Sequence, residues 1–271
     1  MARREPQVIG AALALTLGAC TVFNGKTFDE NKGLTPLADG GASRVDGGDR
    51  CGCPSDRGIL CEEFEAAAPG AAWETIGTAP VRDTARAHCG LGSLRVRTPA
   101  FGVGGSGISM LSDAKSLADR RLAGGFFARA WVYVPSTTTL SGDNYFTLME
   151  VRQDVDPFLG VGVELHGDNT SLTNWTATPS AVSSTAGAFP RDAWVCVEWS
   201  VTFDAKSGAS SVWLGGAAQT IATITSTVTA PTPAYGSFLI GAYATATAPQ
   251  PEIELWIDDV VLDTARVGCG P

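Results

Sequence analysis

The chain has 271 residues, 44% of them hydrophobic, with 32 glycines and a formal net charge of −9. That length fits one large all-β domain or two small domains, and the glycine content favours strands joined by turns. With only four lysines, the chain lacks the clustered cations that a phosphate backbone requires, which excludes nucleic acid as its main partner; it also has no phosphate-loop, dinucleotide or paired CxxC zinc motif.

Residues 1–19 read as an export signal. MARREP is positive, and the apolar run VIGAALALTLGA has twelve residues, too few to cross a bilayer as a helix. The ending Leu17-Gly18-Ala19-Cys20 resembles a bacterial lipobox, in which Cys20 is lipidated and becomes the first mature residue. Thr21 follows rather than Asp, so the expected address is the outer membrane, on its periplasmic face or at the cell surface. Membrane contact is then made through the lipid anchor alone. Removing residues 1–19 takes away two Arg and one Glu and moves the charge from −9 to −10. Six cysteines remain, at 51, 53, 61, 89, 196 and 269. An even set in an exported chain reads as up to three disulfides, with about fifteen connectivities open.

Residues 20–57 include FNGKTFDENKGLTPLADGGASRVDGGDRCGCPSD, in which apolar residues are sparse and no period is visible. Such a segment buries too little surface to offset its ordering entropy and reads as a tether. From 58 to 271 the text changes to short alternating runs. GSLRVRT (92–98), GFFARAWVYVP (125–135), NYFTLMEVRQ (144–153) and LGVGVELHG (159–167) read as strands. So do WVCVEWSVTFD (194–204), SSVWLGG (210–216), YGSFLIGAY (235–243) and EIELWIDDVVLD (252–263). GVGGSGIS (102–109) reads as a loop and LSDAKSLADRRLA (111–123) as a helix of a turn or two. Many strands without helices between them predict an all-β, two-sheet antiparallel sandwich.

Strand parity then nominates a binding face. In 125–135, Phe126, Ala128, Ala130, Val132 and Val134 face the core, leaving Phe127, Arg129, Trp131 and Tyr133 opposite. In 159–167, Glu164 and His166 oppose Val161, Val163 and Leu165. In 194–204, Cys196, Glu198 and Ser200 oppose Val195, Val197, Trp199 and Val201. Both faces of 144–153 are mixed, with Phe146, Leu148, Glu150 and Arg152 on one. If these strands share a concave sheet, Arg129, Trp131, Tyr133, Glu150, Arg152, Glu164, His166 and Glu198 converge on a glycan, rings stacking on aromatics and Arg pairing with hydroxyls or a uronate. The alternatives are an outer face covered by loops, and an ordinary Glu198–Arg152 ion pair. In the last strand, parity sends Asp259 coreward with Ile253, Leu255, Ile257 and Val261, unless a bulge intervenes.

The motifs CEEFE, GLGSLRV, FFARAWVYVP, WVCVEW and LWIDDVVLDTARVGC, in that order, resemble the concanavalin A-like lectin/glucanase superfamily, particularly its LamG-like and polysaccharide-lyase-like members, and jelly-roll carbohydrate-binding modules. The resemblance covers residues 59–269 and implies two curved sheets with a glycan on the concave one. Its members include lectins, glucanases, lyases and adhesion modules, so fold does not decide function. Glu252 and Glu254 have the i, i+2 relation of the superfamily's glucanase strand, but Trp256 stands where a further acid belongs and the strand lies at the chain end. First and last strands neighbour each other in these sandwiches. That implies a structural Ca²⁺ held by Glu65 and Asp259 with backbone carbonyls, or a hydrogen-bonded carboxylate at a strand end, and a Cys61–Cys269 disulfide. A lyase needs a carboxylate neutraliser and a proton-moving group; Arg129, Tyr133, His166 and Gln153 supply the types. The lyase signature Q-x-H is absent, however, and the negative charge opposes a polyuronate. The expectation is a lipid-anchored envelope protein that binds polysaccharide without catalysis. The alternatives are a polysaccharide lyase or glycoside hydrolase acting on the concave sheet, and a protein-binding adhesion sandwich.

Overall fold

The computed structural model describes Gly52 and residues 58–67, 69, 73–154, 159–175, 181–203, 208–216, 222–225 and 235–269. The export signal, Cys20, Cys51, Cys53 and nearly all of the tether lie outside the described residues. The predicted alternation appears as fifteen strands: β1 (Leu60–Glu62), β2 (Trp73–Gly77), β3 (Val81–Asp83), β4 (Ser93–Thr98), β5 (Ser106–Asp113), β6 (Gly125–Tyr133), β7 (Tyr145–Arg152), β8 (Gly160–His166), β9 (Asn169–Asn174), β10 (Ala181–Ala188), β11 (Trp194–Thr202), β12 (Ala209–Leu214), β13 (Ala222–Thr225), β14 (Ser237–Thr245) and β15 (Ile253–Asp263). They form two antiparallel sheets. The first runs β13-β12-β11-β6-β15-β4-β3, with β1 also paired to β15; the second runs β10-β9-β8-β7-β14-β5-β2.

The core between the sheets collects the apolar parity set, including Phe126, Ala128, Ala130 and Val132 from β6 and Val161, Val163 and Leu165 from β8. Trp199 is fully buried there. Its indole N–H donates to Ser210 Oγ at 2.8 Å and its ring meets Phe126 edge-on at 5.1 Å, which satisfies both its polar and its apolar parts.

Three local features differ from the sequence expectations. The stretch 102–113 is no loop-and-helix: β5 occupies Ser106–Asp113, and beyond it lie two 3-10 turns, Ser116–Ala118 and Arg120–Leu122. Asp113 accepts from the backbone of Lys115 and Ser116, and Asp119 accepts from that of Arg121. Two capping carboxylates six residues apart restart the chain before an α-helix can propagate.

The second feature is a bulge. The β7–β8 register shifts between Thr147 and Met149, and the β14–β7 register shifts between Ile240 and Tyr243. An added residue reverses parity along the strand. Phe146, Leu148, Met149 and Val151 all enter the core, while Tyr145, Thr147, Glu150 and Arg152 reach the outer face. The expected grouping of Phe146 and Leu148 with Glu150 and Arg152 is thereby corrected. Gly241 serves this bulge: its φ is 147°, and a Cβ there would lie 2.2 Å from the Ser109 carbonyl oxygen.

The third is the disulfide. Cys269 bonds to Cys196, not to Cys61. β1 does pair with β15, as expected, but the chain after Asp263 turns back over the first sheet and carries Cys269 to β11. Cys61 and Cys89 are disulfide-bonded as well.

Candidate functional site

The expected eight-residue cluster divides between two sheets. Arg129, Trp131 and Tyr133 lie on β6 and Glu198 on β11, in the first sheet; Glu150 and Arg152 lie on β7 and Glu164 and His166 on β8, in the second. A two-sheet sandwich puts these outer faces on opposite sides, so the eight residues do not form one site.

The outer face of the first sheet is covered. His88 stacks on Trp131, with ring centroids 3.7 Å apart, and Arg86 lies 3.7 Å above the Tyr133 ring. Glu198 is buried and accepts from Arg266 Nε at 3.1 Å and from the Gly268 N–H at 2.9 Å. Arg129 is 6% exposed and donates to the carbonyls of Gly52, Gly268 and Asp259. These contacts tie down residues 86–89 and 266–269, and the Cys196–Cys269 bond fastens the second segment. Every predicted glycan residue of this sheet is thus engaged in holding a cap. The expected alternative of a loop-covered face holds here, and a Glu198–Arg152 pair does not form.

The acidic end of β15 belongs to the same cap. Asp259 has φ 49° and sits in a bulge between Asp258 and Val261, which turns its carboxylate away from the core and onto His88 Nδ1 at 2.7 Å. Asp258 accepts from the backbone N–H groups of His88 and Cys89 at 2.8 and 3.2 Å. Burial, reinforced by the Asp259 charge, raises its pKa. Glu65 is engaged elsewhere, accepting from the Leu91 N–H at 2.9 Å. The two carboxylates nominated for Ca²⁺ therefore hold separate partners. Among the described residues, no group of three or more His, Cys, Asp or Glu is placed to hold a metal ion. Glu252 and Glu254 pair with Arg97 and Arg95 on β4, and neither lines the groove of the second sheet.

On the outer face of the second sheet the described residues Ile108, Met110, Tyr145, Thr147, Glu150, Arg152, Leu159, Trp175, Tyr243 and Thr245 line a groove of about 550 Å³. Register explains the convergence. One row across the sheet reads Ile108, Tyr243, Thr147, Glu164, Ser171; the next reads Thr245, Tyr145, His166, Asn169. A third pairs Leu239, Glu150, Gly162 and Thr173. Trp175 follows β9 and lies over the third row: a Cβ on Gly162 would stand 2.9 Å from its Cη2, so only glycine leaves the indole room.

The polar floor is acidic and deep. Glu150 is 5% and Glu164 1% exposed. Glu164 Oε2 lies 2.7 Å from His166 Nε2 and accepts from the Thr173 hydroxyl at 2.7 Å. His166 stacks on Tyr145 at 4.5 Å, within 10° of parallel. Arg152 Nη1 faces Glu150 Oε1 at 3.3 Å, off the geometry of a hydrogen bond. Burial pushes Glu150 up to about 7, with Arg152 lowering and Glu164 raising it; burial also raises Tyr145. Buried Thr147 Oγ1, Glu150 Oε1 and Glu164 Oε1 make no hydrogen bond among the described residues.

Of the predicted residues, Glu150 and Arg152 line the groove, and Glu164 and His166 flank it. Gln153 is buried just past β7 and does not line it. The sequence reading missed Tyr145, Thr147, Trp175 and Tyr243. Two signals pointed to them: the mixed faces of NYFTLMEVRQ, which betray a bulge, and Gly160 and Gly162 at alternate positions of a strand, which mark close approach from above.

No family model matches the chain, and no curated protein matches it. Solved structures do. Cellulose induced protein, Cip1, aligns with a TM-score of 0.58 at 19% identity, over 77% of this chain and 99% of its own. The fold is a jelly-roll sandwich. The binding domain of botulinum neurotoxin DC in complex with SialylT aligns at 0.51 and 10% identity, over 78% of this chain. A structure titled for the dependence of botulinum neurotoxin type C cell entry on two ganglioside molecules aligns at 0.53 and 10% identity, again over 78%. This chain covers 49% of the length of each of those toxin chains.

Proposed function

We propose that this domain binds a polysaccharide in the groove of the second sheet, and that lipidated Cys20 anchors it to the envelope. The observation that carries the reading is the groove itself. Tyr145, Tyr243 and Trp175 stand around a floor bearing Thr147, Glu150 and Arg152. Aromatic faces suit the C–H faces of sugar rings, while the floor supplies hydrogen-bonding groups in a largely apolar cleft. Toxin domains of the same fold, described with SialylT and with gangliosides, agree with such a use. The test is retention of the purified 271-residue chain on a panel of polysaccharides, compared with Trp175→Ala and Tyr145→Ala. A loss of about tenfold or more in both variants is expected; retention unchanged in both rejects the groove as the binding surface. Cys20→Ala should leave the chain unlipidated and free of membrane, and continued attachment rejects the anchor.

One observation favours a second reading, cleavage of the bound glycan by a lyase or glycoside hydrolase. A buried carboxyl near pH 7 beside another carboxylate is suited to general acid–base work. In that reading Glu150, with Arg152, Tyr145 and the Glu164–His166 pair, replaces Arg129, Tyr133 and Gln153. New reducing ends or ultraviolet-absorbing unsaturated ends, abolished by Glu150→Gln, decide for the enzyme; bound polymer without new ends decides for the binding module.

A further inference from the structure

We propose that the groove selects an uncharged glycan, whose hydroxyls donate to Glu150 Oε1 and Thr147 Oγ1 on its floor, and discriminates against uronates. The inference rests on the glycan-binding reading and adds the substrate class. Its basis is three buried oxygens, Thr147 Oγ1, Glu150 Oε1 and Glu164 Oε1, on adjacent strands of one face, none hydrogen-bonded among the described residues. A buried acceptor left without a donor is costly, and such groups are found satisfied by a ligand or water. Sugar hydroxyls are donors of the right kind. A uronate carboxylate brings further acceptors and a negative charge to a floor where Glu150 and Glu164 already repel each other. Among the described residues Arg152 is the one cation lining the groove, and it faces Glu150 at 3.3 Å, so a uronate would have to compete with Glu150 for it. Ile108, Met110 and Leu159 complete an apolar wall for ring faces.

The charge state of Glu150 reports which ligand is bound. The groups facing it are Arg152 and Tyr145 on its own strand, Glu164 and His166 on β8 and Tyr243 on β14; β5 contributes only Ile108 and Met110. Donation by a hydroxyl stabilises the ionised carboxylate and drives its proton off. A neighbouring uronate does the reverse and draws a proton on. Binding of a neutral glycan near pH 7 therefore releases protons, whereas binding of a uronate takes them up.

The experiment is calorimetric titration of the 271-residue chain at pH 7, in two buffers of different ionisation enthalpy. Neutral hexose oligosaccharides are each paired with their C6-carboxylate counterparts. We expect the neutral member to bind about tenfold or more tightly than its counterpart, with proton release that disappears in Glu150→Gln. Thr147→Val keeps the shape and removes a hydroxyl that makes no hydrogen bond among the described residues, so it should weaken the neutral ligand several-fold while leaving thermal stability unchanged or higher. Tighter binding of the carboxylate member, proton uptake with the neutral one, or full affinity in Thr147→Val overturns the selectivity while glycan binding stands. Failure of every pair to bind overturns the proposed function itself.

Discussion

The two outer faces of this sandwich carry the same kinds of residue and have opposite fates. On the first sheet Arg129, Trp131, Tyr133 and Glu198 lie under two chain segments. Glu198 accepts from Arg266 and Gly268, the Arg129 Nη atoms donate to three carbonyls while its Nε makes no hydrogen bond among the described residues, and the His88 ring stacks on Trp131. On the second sheet the described residues Tyr145, Thr147, Glu150 and Tyr243 line a groove, and two of the four present a buried oxygen with no hydrogen bond among the described residues. Aromatic and charged side chains on one strand face therefore do not distinguish a cap from a site. What distinguishes them is whether their carboxylates close their hydrogen bonds: Glu198 does so with both oxygens, whereas Glu150 Oε1 does not among the described residues.

The comparison breaks first at the disulfide. Cys196–Cys269 closes a loop spanning 73 residues, and chain entropy gives its removal a cost of about 4 kcal/mol. Cys196→Ala with Cys269→Ala should lower the free energy of unfolding by that amount and leave glycan retention at native strength under conditions where the chain stays folded. Loss of retention in the folded variant would mean that the capped sheet belongs to the binding surface.

A matched pair of tryptophans sharpens the contrast. Trp131→Ala removes the platform under His88 and should cost about 3 kcal/mol of stability with no change in retention. Trp175→Ala should do the converse, weakening retention about tenfold while chemical denaturation moves by less than about 1 kcal/mol. If both variants changed the same property, the division between cap and groove would fail.

How much of this was legible in the sequence follows from what periodicity reports. Alternation in 125–135, 159–167 and 194–204 identified the core residues, because a pleated strand has no other way to bury Val161, Val163 and Leu165 together. It carried no information on which sheet a strand joins, and so Arg129 and Glu164 were placed in one site although they lie on opposite faces. It failed outright at the two bulges. In β15 the φ of 49° at Asp259 turns to His88 a carboxylate that parity sends inward. In β7 the bulge after Thr147 makes odd and even positions share a face. Cys269 was misassigned for a further reason: β1 and β15 are indeed neighbours, but six residues beyond a strand end suffice to carry a side chain across to β11.

The open face also makes stability depend on pH. Glu150 in the folded chain titrates near 7 rather than at the ordinary 4.5, so the folded state holds that proton more tightly than the unfolded one. The resulting stabilisation is complete below about pH 4.5 and is lost as pH rises through 7; the shift corresponds to at most about 3 kcal/mol. Glu150→Gln should flatten this part of the stability–pH curve, measured by denaturant midpoints between pH 4.5 and 8. An unchanged slope would place the loss of stability with rising pH elsewhere, with Asp258 under the cap the next group to test, since its pKa is raised as well.

The smallest change falls on Gly162. Its missing side chain leaves the space that the Trp175 indole occupies, and a Cβ would stand 2.9 Å from Cη2 and equally close to the Met149 carbonyl oxygen. The backbone oxygen is held in the β7–β8 ladder, so the indole is the partner free to move. Gly162→Ala should therefore cost about 1 kcal/mol of stability, tilt Trp175 away from the floor and reduce glycan retention several-fold, with a shift in tryptophan emission marking the displaced ring. Native retention together with an unshifted emission would show that the indole does not need its seat over Gly162, and the groove wall would then rest on Tyr145 and Tyr243 alone.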